Sequence, residues 1–127
     1  MEDTSAPAPD VVGQPEGPIK NIAIAHPLVL KDQVDYAPAQ IVSKTLVQND
    51  QVSITLFSFD AGQQIASHIA GGDAFATVLE GQGSITIDDA QYFVSEGQSL
   101  IMPLGHPHAG CAVTNFKMLL VVVYPSK

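Results

Sequence analysis

From Ile41 onward, apolar and polar positions alternate with the period of a strand, not of a helix. β-branched and aromatic residues fill Ile41 to Val47 and Val52 to Phe59, and Gln48-Asn49-Asp50-Gln51 between them predicts a hairpin turn. Ser84 to Ile87 and Gln91 to Val94 flank a second turn at Asp88-Asp89-Ala90. Shorter runs follow the same pattern at Ala74 to Leu79, Ser99 to Met102 and Ala109 to Thr114. The series closes with Phe116 to Tyr124, a continuous apolar strand that requires cover on both faces. No segment carries a sustained helical stripe, and no long-period repeat is present. Many short strands at close spacing with glycine turns predict an all-β sandwich or barrel.

The chain ahead of these strands has a different character. Residues 1–18 form a proline-rich, acidic arm that cannot sustain a helix or a central strand. Such an arm is either a disordered tail or a segment that pairs with a neighbouring subunit. Ile22 and Ile24, before His26-Pro27, predict a short edge strand and a turn. The organisation is therefore an arm, 1–18, and one domain, 19–127, since 127 residues suffice for a single core.

Charge narrows the list of partners. A net charge of −8 with five Lys and Arg in all leaves no basic surface for nucleic acid and no polybasic patch for a membrane. The longest clean apolar run, Met118 to Val123, is far short of the roughly 20 residues that cross a bilayer. With an acidic start and the lone cysteine Cys111, these features lead us to expect a soluble, cytoplasmic protein. No Ser-His-Asp arrangement is assignable from spacing, and neither an HExxH zinc motif nor a glycine-rich phosphate loop is present.

Two spaced sets of residues carry the remaining signal. Gly62, His68 and Gly81 form one, and Gly97, Pro103, Gly105 and His108 the other. This spacing resembles the two motifs of the cupin family, over about Ile41 to Tyr124. Ala70 stands where that pattern has its second histidine, Ala74 where it has glutamate, and Ala112 where it has asparagine. The resemblance implies a cupin-like jelly-roll (double-stranded β-helix) barrel with both motifs facing its interior, and a homodimer, the common state of small members.

It also implies a divalent transition metal such as iron, manganese, nickel, copper or zinc, of whose four ligands only His68 and His108 remain. Asp73, one position before the missing glutamate, and His106, which shares the parity of His108, are weaker candidates for the missing donors. Alternation groups Ala70 with His68, and Ala74 with Ala76 and Val78, giving a small apolar interior with room for a ligand. Two functions stay open: a small-molecule-binding module in which the two histidines orient a polar group, and a metal-dependent enzyme of dioxygenase, isomerase or decarboxylase type. Glu80 and Tyr92 are expected at the strand end and the surface, and His26 outside the site.

Overall fold

The computed structural model describes residues 17–126. Nearly all of the arm expected at 1–18 lies outside the described residues. Nine strands follow: β1 (Ile41–Gln48), β2 (Val52–Phe59), β3 (Gln64–His68), β4 (Asp73–Glu80), β5 (Gln82–Ile87), β6 (Ala90–Ser95), β7 (Ser99–Met102), β8 (His108–Ala112) and β9 (Phe116–Val123). They form a five-stranded sheet in the order β1-β2-β9-β4-β7 and a four-stranded sheet in the order β3-β8-β5-β6. Every pairing is antiparallel, which gives the jelly-roll sandwich.

The turns explain the glycine spacing. Gly62, Gly81, Gly97 and Gly105, the four motif glycines, all have positive φ, between 77° and 86°. An L side chain is strained there. At Gly81 a Cβ would also overlap the carbonyl oxygen of Asn115, so the β4–β5 turn has no room for any other residue. The first hairpin is closed by Asn49, whose Oδ1 accepts from the amides of Gln51 (2.9 Å) and Val52 (3.0 Å). Asp88, at φ 54°, supplies the left-handed residue of the two-residue β5–β6 turn.

Between the sheets lies the main core, built on Phe59, Ala74, Ala76, Val78, Ile85 and Phe116 with their neighbours. A second core covers the outer face of β1, β2 and β9. There Val34, Leu46, Val47 and Leu56 are buried, with Ile22, Leu30 and Leu119 packed against them. The segment ahead of β1 is thus a strap that covers the sheet, not the edge strand expected at Ile22 and Ile24. Positive φ at Asn21 (63°) and Ala25 (56°) breaks the extended backbone, and the only regular element of the strap is one 3-10 turn, Leu30–Gln33.

Lys117 anchors this strap. It is 7% exposed in the middle of an apolar strand, and its Nζ donates to the Lys31 carbonyl (2.6 Å) while lying 4.8 Å from the centroid of the Tyr36 ring. Tyr36 in turn donates its hydroxyl to Glu80 Oε2 (2.6 Å). Burial, reinforced by that hydrogen bond and by the Glu80 charge, holds the Tyr36 phenol well above its ordinary pKa. Glu80 therefore pins the strap at the end of β4, and β9 gains its second-face cover only at Lys117 and Leu119. Further along, Val123 on β9, with Phe75 on β4 and Ile101 on β7, remains exposed.

Candidate functional site

His68 and His108 meet because β3 carries an extra residue. Gln64 pairs with Cys111 and Ile65 with Gly110; in unbroken register Ser67 would then face His108. A bulge between Ile65 and His68 shifts the ladder by one, so His68 is the residue opposite His108 and turns to the inner side. The two imidazoles lie 4.4 Å apart between centroids with an interplanar angle of 65°. His68 is exposed, whereas His108 is 7% exposed, so the pair runs from solvent into the interior.

His68 Nδ1 is 3.2 Å from the Ala66 carbonyl, which fixes its ring. The buried Nδ1 of His108 has no hydrogen-bond partner. Burial above all, and then the neighbouring His68, push the His108 pKa below its usual value. The His106 carbonyl pulls the other way without completing a hydrogen bond to Nδ1. A neutral imidazole with unmet hydrogen-bonding capacity is the result.

Both rings line a cavity of about 190 Å³ between the sheets. Its walls are largely apolar: Phe57 and Phe59 from β2, Phe116, Met118 and Leu120 from β9, Met102 from β7 and Ile65 from β3. Phe59 forms the centre of an aromatic cluster, 5.4 Å from Phe116 at 61° and 6.0 Å from Phe57 at 49°. The other polar side chains in the lining are already engaged, since Ser84 Oγ accepts from Gln91 Nε2 (2.7 Å) and the Cys111 thiol points to the Ala112 carbonyl (3.8 Å). Among the described residues, no Lys, Arg, Asp or Glu lines the cavity.

The weaker candidates lie elsewhere. Asp73 is exposed on the outer side of β4, where its Oδ1 accepts from the Leu104 amide (2.8 Å) and ties down the loop before β8. The bulge that turns a side chain inward lies in β3, not at Asp73. His106 is exposed and pairs through Nδ1 with Asp88 Oδ2 (2.9 Å), across the loop from the β5–β6 turn. Ala74, Ala76 and Val78 are buried in the core, and Ala70 lies in the loop after β3; none of the four is among the residues lining the cavity. The lining that sequence reasoning missed comes from Phe57/Phe59 on β2 and Met118/Leu120 on β9. Both pairs sit two residues apart on one strand face, so the alternation signal was there to be read.

A divalent ion in a defined protein site takes three or more protein donors. Among the described residues, no three His, Cys, Asp or Glu side chains come together. Two imidazoles in an apolar wall do not fit the resident centre implied by the two motifs.

Fold, motif spacing and inward histidines together define a cupin. A cupin-domain family model matches residues 55–124, and the chain belongs to the cupin family. Solved relatives agree. A conserved protein of unknown function from Streptococcus pyogenes is 48% identical over 87% of this chain and 97% of its own, with a TM-score of 0.85. A cupin superfamily protein from Desulfitobacterium hafniense is 31% identical over 84% and 98%, with a TM-score of 0.81. The fold alone is shared with KdgF from Halomonas, 17% identical over 74% of this chain and 86% of that one, with a TM-score of 0.63. No curated protein matches the sequence. No helix among the described residues is long and apolar enough to cross a membrane.

Proposed function

We propose that this cupin is a small-molecule-binding protein whose ligand enters the cavity between the sheets and is oriented by His68 and His108. The observation that carries the reading is the pair of imidazoles, His68 and His108, lining an otherwise largely apolar cavity. The donor set favours this binding role over the metal-dependent enzyme, because two imidazoles alone give a metal little affinity and no fixed geometry.

The exposed apolar residues Phe75, Ile101 and Val123 on the outer face of the five-stranded sheet support a homodimer built on that face. The single, unpaired Cys111 suits the reducing cytoplasm in which we place the protein.

The test is a thermal-shift screen of uncharged organic molecules against wild type and an Ile65→Trp variant, in which the indole fills the cavity. Ligands should raise the wild-type melting temperature and leave the variant unmoved. Equal shifts in both proteins, or none in wild type, would refute binding in this cavity.

A further inference from the structure

We infer that the ligand is an uncharged, single-ring aromatic molecule carrying one hydroxyl group. The inference rests on the binding reading above and narrows it to a chemical class.

Size sets the first limit. An apolar cavity of about 150 Å³ accepts benzene. The 190 Å³ found here comfortably holds one ring with a small substituent.

Charge sets the second. Among the described residues no Lys, Arg, Asp or Glu lines the cavity, so a carboxylate or phosphate would face none of their cations there and an ammonium none of their carboxylates. Burying an unpaired charge is costly enough to exclude such ligands. A sugar is excluded for a related reason. Its several hydroxyls would meet two imidazoles and the one Ser84 hydroxyl, whose oxygen already accepts from Gln91, and the remaining hydroxyls would lose water without replacement.

The walls favour an aromatic ring. Phe57, Phe59 and Phe116 already pack at tilted and edge-to-face angles, and a further ring extends that arrangement. Met102 and Met118 supply polarizable, adaptable contacts around it.

The histidine pair selects the substituent. A hydroxyl both donates and accepts, so it can pair with an imidazole nitrogen facing the cavity whether that nitrogen carries the proton or not. An ether or a ketone can only accept.

The experiment is calorimetric titration of the full chain at pH 7.5 with four probes: phenol, toluene, benzoate and glucose. Phenol should bind about tenfold more tightly than toluene, the value of one hydrogen bond, and benzoate and glucose more weakly than either. His108→Leu should abolish the preference for phenol over toluene. His68→Ala, at an exposed position where folding is not at stake, should reduce the same preference. Benzoate or glucose binding as tightly as phenol, or an undiminished phenol preference in His68→Ala, would overturn the assignment of class while leaving the cavity a binding site. Failure of all four probes, toluene included, would overturn the binding reading together with it.

Discussion

His68 stands directly across the β3–β8 ladder from His108, and one extra residue in β3 puts it there. Without the bulge Ser67 would hold that place and His68 would face outward. The site thus depends on an irregularity in an exposed edge strand, and a pair of imidazoles supplies most of its polar chemistry.

A buried polar atom without a partner costs stability. His108 buries Nδ1 without a partner, and removing such an atom relieves its desolvation penalty. We expect His108→Leu to be more stable than wild type by about 1 kcal/mol at pH 7.5. Urea unfolding of the two proteins measures this. A variant destabilised to the degree of an ordinary core truncation would mean that the ring is there for packing.

Stability should also depend on pH with a defined sign. The folded-state pKa of His108 lies below the ordinary histidine value of about 6.5, so the unfolded chain binds this proton more readily. More protons on the unfolded state means that stability rises with pH. The His108 contribution is therefore level above about pH 6.5 and is lost as pH falls from there through the depressed folded value. Melting temperatures of wild type and His108→Leu across pH 4.5–8 should diverge on the acid side, with wild type falling more steeply. Parallel curves would contradict the shift.

The strap gives an independent prediction. Lys117→Met keeps the apolar stem and deletes the ammonium that reaches the Lys31 carbonyl and the Tyr36 ring. A charged hydrogen bond and a cation–π contact in a largely buried setting together suggest a loss of about 2 kcal/mol. Limited proteolysis should then cut within 17–36 sooner than in wild type. Unchanged cleavage would show that the second core holds the strap without Lys117.

Self-association is tested on the outer sheet face. Ile101→Lys places a charge among Phe75, Val121 and Val123, so a dimer built there should dissociate to monomer in sedimentation analysis at micromolar concentration. A wild type that sediments as a monomer, or a dimer indifferent to the charge, would rule out this face.

Much of this fold is legible in the sequence because β-branched and aromatic runs mark the strands, β4 and β7 bury alternate residues, and each motif glycine sits where the backbone needs positive φ. The hairpins at Asn49 and Asp88 are local chemistry and were readable for the same reason. The β3 bulge was not, since one inserted residue leaves no mark in a five-residue strand whose neighbours are mostly exposed. Nor was the strap: Ile22, Leu30 and Val34 follow no period, and their burial is decided by a sheet formed later in the chain. Lys117 reads as a flaw in an apolar run until the carbonyl and the ring that receive it are in place. The candidate site was half legible. Spacing identified its histidines, while the alanines drew attention away from the phenylalanines and methionines that line the cavity.

Nitrogen-15 NMR of the histidine side chains tests the central claim most directly, because one spectrum reports protonation, tautomer and contact for both rings. At pH 7.5 His108 should be neutral, and adding phenol should shift the His68 and His108 signals together along one saturating curve while the exposed His26 stays fixed. Zinc or nickel at stoichiometric concentration should leave the pair largely unmoved. The opposite pattern, tight metal-induced shifts of both rings and indifference to phenol, would contradict the binding account and restore a metal centre.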